Sequence, residues 1–272
     1  MGAIPVSTTA TKITNITNFL SPTLCGVSGR IVGGAEVGMG VWPWVVSILS
    51  SNGVPFCAGS LVSHRHVLTA AHCITGENQT MRFPLWVAVG EHRNHNLHQN
   101  RTRTVGVTHA LYHANFSTHA KFDSDISVLV LTKQFDPELR IIPACLPNPG
   151  YTVAGSVAKV LGWGATKESG SISQVLQEVE IPILPPQPCK KSYPITYLEE
   201  KMICAGHLKG GVDACQGDSG GPLTHQQHPD APWTVVGVVS FGRGCGRPAS
   251  PGVYTKITTF LPWLTEVMTL YP

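Results

Sequence analysis

The stretch Gly211-Val-Asp-Ala-Cys-Gln-Gly-Asp-Ser-Gly-Gly-Pro-Leu223 holds Ser219 between glycines, with Asp218 directly before it and a second carboxylate, Asp213, further upstream. Glycines on both sides open backbone conformations closed to other residues and let the chain approach a bound molecule closely. Taken by itself, the frame fits a sharp surface turn as well as it fits a nucleophile displayed on one. The rest of the chain decides between them.

The chain has 272 residues, enough for one large β domain or two small ones with a sizeable core. It carries 28 glycines and 21 prolines, and only 13% of its residues are charged. That mix suits short strands joined by turns and argues against a helical bundle. A net charge of +3 gives no global pull toward nucleic acid or an anionic membrane. The 8 cysteines are even in number and dispersed, which points to disulfides in an oxidising compartment. Metal ligands would instead cluster at short spacings, so neither a metal nor a cofactor is expected. Four Asn-x-Ser/Thr sequons, at Asn15, Asn78, Asn100 and Asn115, agree with export and are candidate glycosylation sites. No apolar run is long enough to span a bilayer. The first thirty residues lack an apolar core of signal-peptide length, so the targeting signal is expected to be unusual or to precede the chain as given.

Residues 1–30 read as a flexible, Ser/Thr-rich lead-in that contains Cys25 and ends at the basic site Ser28-Gly-Arg30. Ile31-Val-Gly-Gly34 follows, and then the apolar run Trp42-Pro-Trp-Val-Val-Ser-Ile-Leu49. Short β-favouring segments recur at 59–62, 85–89, 126–131, 175–179 and 233–239, separated by turn-rich pieces. From about Thr258 to Leu270 the apolar residues Phe260, Leu261, Leu264, Val267 and Met268 fall at helical spacing, with Pro262 tolerable near the helix start. The pattern predicts an all-β domain closed by a C-terminal helix.

Three segments carry the chemistry. Leu68-Thr-Ala-Ala-His72-Cys73 sets a histidine at the end of an apolar strand, and Phe122-Asp-Ser-Asp125-Ile-Ser-Val-Leu129 sets an aspartate at the mouth of another. Gly217-Asp-Ser219-Gly-Gly221 supplies the hydroxyl. In this order, and together with Gly162-Trp-Gly164, Ser240-Phe-Gly242 and Pro251-Gly-Val-Tyr254, they resemble the trypsin-like, chymotrypsin-fold serine proteases from Ile31 almost to the C-terminus. The α/β-hydrolases also use a Gly-x-Ser-x-Gly frame, but their order is serine, acid, histidine on an alternating βα sheet, which this chain lacks.

The resemblance implies two packed six-stranded antiparallel β-barrels, a propeptide or light chain over 1–30 and a protease domain over 31–272. It implies Ser219 as nucleophile, His72 as general base and Asp125 as the acid that orients it, with the amides of Gly217 and Ser219 as oxyanion donors. It sets Asp213 at the base of the primary specificity pocket, where a carboxylate favours Arg or Lys. Gly242 and Gly252 would line the walls, and Ala214, Gln216, Ser240 and Phe241 would also meet substrate. Ala214 stands where many relatives have serine, removing one partner for a lysine ammonium, so Arg is expected over Lys. Cleavage after Arg30 would free an α-amino group on Ile31 to meet Asp218, so the chain as written is expected to be a precursor. The implied disulfides are Cys57–Cys73, Cys189–Cys204, Cys215–Cys245 and a tethering Cys25–Cys145. Ala158, His225, Val37 and Glu178 stand where relatives often carry two further bridges.

Secretion, protein substrates, an upstream activating protease and a serpin-type or other protein inhibitor follow as expectations. The segment 91–103 matches a calcium loop of trypsins, but Glu91 is its one remaining carboxylate. With Arg93, Arg101 and Arg103 it reads instead as a solvated loop or as a basic exosite for an acidic protein or polysaccharide. The longer loop between Cys73 and Trp86, the tether and the sequons favour a cascade enzyme. A digestive trypsin and a non-catalytic homologue acting as a binding protein are the alternatives.

Overall fold

The computed structural model describes residues 24–28, 40–75, 80–89, 103–135, 139, 141–211 and 213–272. Six strands form the first barrel: β1 (Val45–Leu49), β2 (Pro55–Leu61), β3 (His66–Thr69), β4 (Trp86–Val89), β5 (Arg103–Tyr112) and β6 (Ser127–Leu131). They close in the order β1-β2-β3-β6-β5-β4. The second barrel takes β7 (Val157–Gly162), β8 (Gln177–Leu184), β9 (Met202–Ala205), β10 (Pro222–His225), β11 (Thr234–Phe241) and β12 (Gly252–Lys256). Its order is β10-β11-β12-β9-β8-β7, and both barrels are antiparallel throughout. Closure leaves neither sheet with a free edge. This is the chymotrypsin fold.

The sequence accounts for the strand character element by element. β5 alternates, burying Val105 and Val107 between less buried neighbours, as a strand with one wet face does. β6 is buried at every position, because one face lines its barrel and the other is covered. The single hydroxyl there is satisfied, since Ser127 donates to the Ala70 carbonyl at 3.0 Å.

Among the described residues three helices accompany the barrels: α1 (Ala71–Ile74), α2 (Pro186–Ser192) and α3 (Ile257–Leu270). In α3 the residues Ile257, Phe260, Leu261, Trp263, Leu264 and Val267 form the buried face. Pro262 lies in the second turn of α3, deeper than a start position. The core runs from the first barrel through Leu161, Trp163, Val235 and Val238 to Phe260 and Leu264 of α3, so one apolar cluster bonds both halves. A second cluster, with Val160, Ile181, Leu223, Val236 and Tyr254, fills the second barrel.

Among the described residues the cysteines form Cys25–Cys145, Cys57–Cys73, Cys189–Cys204 and Cys215–Cys245. Cys25 brings the lead segment to the protein surface. There the Gly26 amide donates to Pro143 at 2.9 Å and the Trp233 amide donates back to Gly26 at 2.9 Å. Where relatives often have bridges, other pairings stand: Tyr151 Oη lies 2.9 Å from His225 Nδ1, and Glu178 accepts from Trp42 Nε1 at 2.8 Å and from Lys159 at 2.6 Å. No helix among the described residues is long and apolar enough to cross a membrane.

Candidate active site

The site forms where the barrels meet. His72 sits in α1, the single turn that follows β3, and Asp125 precedes β6. Because β3 and β6 pair in register, with Thr69 opposite Ser127, their ends arrive side by side. Asp125 then holds the histidine at two points: Oδ1 accepts the His72 backbone amide at 2.9 Å, and Oδ2 lies 2.8 Å from Nδ1.

The second barrel supports the same carboxylate. Ser240 Oγ donates to Asp125 Oδ2 at 2.5 Å, and Thr255 Oγ1 donates to the Asp125 carbonyl at 2.7 Å. Asp125 is fully buried, and hydrogen bonds of this kind are what make a buried charge tolerable. Burial alone would lower the His72 pKa, but the charge and hydrogen bond of Asp125 outweigh it and raise the value above 6.5, against a small opposing pull from Arg82.

Ser219 and His72 line one cleft of about 420 Å³ whose walls also include Asp213, Ala214, Gln216, Ser240, Phe241, Gly242 and Gly252. Its loop is locked to the first barrel, since the Ala58 amide donates to the Ser219 carbonyl at 2.9 Å. The next residue, Gly220, has φ +77°, and a Cβ there would fall on Thr69 Oγ1 and 2.6 Å from the Ala58 carbonyl. Glycine is therefore required at the crossing.

Two carboxylates flank the serine from below. Asp213 accepts the Ala214 amide at 2.8 Å, and burial, only partly offset by the amides of Ala214 and Gly246, raises its pKa to about 6. A Cβ on Gly252 would come within 3.0 Å of Asp213 Oδ1, whereas one on Gly242 would meet nothing nearer than 3.9 Å. Asp218 accepts the Gly164 amide at 2.7 Å and the Cys215 amide at 2.9 Å. Burial pushes its pKa to about 6 as well. Side chains at Gly162 or Gly164 would collide with this carboxylate, so the Gly-Trp-Gly segment leaves the space that Asp218 fills. A cavity of about 290 Å³ opens beside Asp218 and shares Asp213, Ala214 and Cys215 with the cleft that holds Ser219.

Several contributors carry no signal in the sequence. Ser240 lines the cleft, and its hydroxyl also donates to Asp125. Thr255 gave no signal in a β-strand pattern. Phe122 stacks on Phe241 with centroids 5.1 Å apart and meets the His72 ring edge-on at 5.7 Å. Arg30, Ile31, Asn15, Asn78, Asn100 and segment 91–102 lie outside the described residues. So do Val37 and the side chain of Arg103. Asn115 is half-buried in the loop after β5. Cys57, His72 and Cys73 bring potential metal-ligand atoms together, but both cysteines are spent in a disulfide.

Comparison with known proteins agrees with this geometry. Serine protease 56 of Mus musculus is 39% identical over 246 residues, covering 90% of this chain and 39% of the relative, so the chain spans about two fifths of that protein's length. Clotting factor G beta subunit of Tachypleus tridentatus is 35% identical over 283 residues, covering 98% of this chain and 90% of the relative. Proclotting enzyme of the same organism is 36% identical over 262 residues, covering 91% and 69%. Residues 31–264 match the family model described as Trypsin, and with two antiparallel barrels enclosing His72, Asp125 and Ser219, the chain belongs to the trypsin family of serine proteases.

Proposed function

We propose that the protein is a secreted serine endopeptidase, made as a zymogen and activated by cleavage after Arg30, that hydrolyses peptide bonds after Arg and less well after Lys. The observation that carries the reading is the 2.8 Å contact of His72 Nδ1 with buried Asp125, in a cleft that also holds Ser219 and the carboxylate of Asp213. Asp125 fixes the imidazole tautomer with the proton on Nδ1, leaving Nε2 to take the proton of Ser219 Oγ as it attacks the scissile carbonyl. His72 then returns that proton to the leaving amine, and water repeats the cycle on the acyl-enzyme. The amides of Gly217 and Ser219 donate to no backbone acceptor among the described residues, which leaves them for the oxyanion. Such a donor contributes about 3–4 kcal/mol.

Asp213 supplies the countercharge for an Arg side chain. The hydroxyl-free Ala214 beside it supports Arg over Lys, because a guanidinium can bind a carboxylate with two donors while an ammonium needs further partners. In activation, the new α-amino group of Ile31 enters the cavity beside Asp218 and the pairing orders the Gly217–Ser219 amides. Residues 1–30 stay attached through Cys25–Cys145 as a light chain. Four disulfides support an extracellular location, and Asn115 is the one glycosylation candidate among the described residues. A role in a proteolytic cascade, with an activating protease upstream and a protein inhibitor, is supported by the likeness to Clotting factor G beta subunit and Proclotting enzyme.

The test is limited cleavage at Arg30, followed by labelling with diisopropyl fluorophosphate and profiling on matched Arg and Lys peptides. Label on Ser219 that appears only after cleavage, with kcat/KM higher for Arg, is the expected result. No label after cleavage would favour a non-catalytic homologue, and equal rates on Arg and Lys would remove the role given to Ala214.

A further inference from the structure

The turn that delivers Asp125 is held in an unfavourable conformation. Phe122 has φ 65° and Ser124 has φ 51°, both non-glycine residues in the left-handed region. Such residues persist where the surroundings over-determine them. Between them sits Asp123, a fully buried carboxylate in addition to Asp125. Lys201 Nζ lies 2.7 Å from Asp123 Oδ1 and 3.3 Å from Ser124 Oγ, Ser124 Oγ donates to Asp123 Oδ1 at 2.9 Å, and His119 Nδ1 lies 3.0 Å from Asp123 Oδ2. Burial works against the Asp123 charge, but hydrogen bonds from Lys201, Ser124 and His119 outweigh it and hold the carboxyl below its usual range.

Lys201 belongs to the other barrel. It immediately precedes β9, its amide donates to Leu198 at 3.0 Å, and its carbonyl accepts the Lys256 amide at 2.8 Å, at the foot of α3. The ion pair therefore anchors a strained turn of one barrel to a fixed point on the other. The turn in question touches His72 twice: Asp125 grips the amide and Nδ1, and Phe122 packs edge-on against the ring.

From this we infer that Asp123, clamped by Lys201 across the barrel seam, is a positioning residue that sets the orientation of His72. The inference rests on the serine-protease reading given above. Asp123 touches neither substrate nor His72 and acts only through the turn. Its loss is therefore expected to lower kcat, which depends on imidazole alignment, far more than it changes KM, because Asp213 is untouched and the turn meets the cleft only through Lys121 and Phe122.

The test uses the cleaved full chain carrying Lys201→Met, with active sites counted by diisopropyl fluorophosphate so that unfolded molecules do not enter the rate. The expected result is a kcat about tenfold lower, KM within twofold of wild type, and rescue to within threefold by Lys201→Arg. The acid limb of kcat/KM separates positioning from plain electrostatics. The charged groups acting on His72 are Asp125 and Arg82, and Lys121 lies over the Phe122 ring. Removing the Lys201 cation alone would make His72 easier to protonate and move the limb to higher pH. Loosening Asp125 from His72 moves it to lower pH, which is the outcome expected.

A kcat within twofold of wild type, or a limb that moves upward, overturns the inference. Should Lys201→Met fail to fold, Asp123→Asn keeps the shape of the turn and is read by the same split of kcat from KM. A wild type that is cleaved at Arg30 yet neither labels nor hydrolyses Arg peptides overturns the parent reading and this one with it. A labelled, active wild type beside an equally active variant overturns this one alone.

Discussion

Replacing Asp218 with asparagine should change the pH dependence of stability in opposite directions before and after cleavage at Arg30. In the uncleaved chain the Asp218 carboxyl is held by the Gly164 and Cys215 amides, and burial raises its pKa from 3.8 to about 6. A folded value above the unfolded one means that the folded state takes up a proton first as pH falls. This contribution is fully present below 3.8 and is lost as pH rises through about 6. The gap amounts to about 3 kcal/mol, or roughly 6–12 °C in Tm for a domain of this size.

If cleavage seats the Ile31 α-ammonium beside Asp218 as proposed, the carboxyl pKa should fall below the unfolded value and the sign reverse: stability is then present above that value and lost as pH drops through it. Asp213 is also raised to about 6, mainly by burial and least by the Asp218 charge, so subtracting the two melting curves removes most of its contribution. Between pH 4 and 7 the uncleaved wild type should thus gain stability on acidification relative to Asp218→Asn, whereas the cleaved wild type should keep its advantage over that range and lose it only below about pH 4. If the ion pair drives ordering of the oxyanion amides, losing one such donor, worth about 3 kcal/mol, should lower kcat/KM of the cleaved variant by about a hundredfold. Calorimetry across the pH range and hydrolysis of an Arg peptide are the two measurements. A cleaved variant within threefold of wild type, or difference curves of the same sign in both forms, would refute the reasoning.

Two further perturbations probe the pocket and the seam. Asp213→Asn removes the countercharge for an Arg substrate, which at an effective dielectric near 20 is on the order of 4 kcal/mol; kcat/KM on Arg peptides should fall by about a thousandfold, with rates on uncharged side chains little changed. Gly220→Ala forces a Cβ onto Thr69 Oγ1 and the Ala58 carbonyl at φ +77°. Denaturant unfolding should show a loss of at least about 2 kcal/mol, and a neutral effect would mean that the two barrels are not closely registered at this crossing.

What was legible from sequence follows from how each contact is encoded. His72, Asp125 and Ser219 announce themselves because each sits in a local frame, an apolar run ending in a polar residue or a glycine-flanked turn. The helix over Ile257–Leu270 was legible because its buried face repeats at helical spacing, though Pro262 lies deeper in it than expected. β5 was missed although Val105 and Val107 alternate with less buried residues, since Gly106 and polar neighbours weaken the pattern. Ser240, Thr255 and Lys201 could not be assigned their contacts. Their partners lie 115, 130 and 78 residues away, and a hydroxyl or an amine in a strand or turn carries no mark of what it will face after folding.

Those illegible contacts share a direction. Asp125 lies at the mouth of a first-barrel strand, but the groups that hold it besides His72, Ser240 and Thr255, lie in the second barrel. Ser219 lies in the second barrel, but its carbonyl is held by Ala58 and its glycine neighbour is fitted to Thr69, both in the first. Asp123 and Lys201 repeat the exchange one layer out. Each half thus presents a reacting group that the other half orients, and neither barrel alone could set the distances on which proton transfer depends. Any change that shifts the barrels against each other by even part of a hydrogen bond would reach the histidine before it reached the fold. If the chain is activated by cleavage at Arg30 as proposed, the seam is a natural place for that cleavage to act. Asp218 lies in the same loop as Ser219, beside the Gly162–Gly164 segment, so a charge arriving there shifts a loop already fastened across both halves.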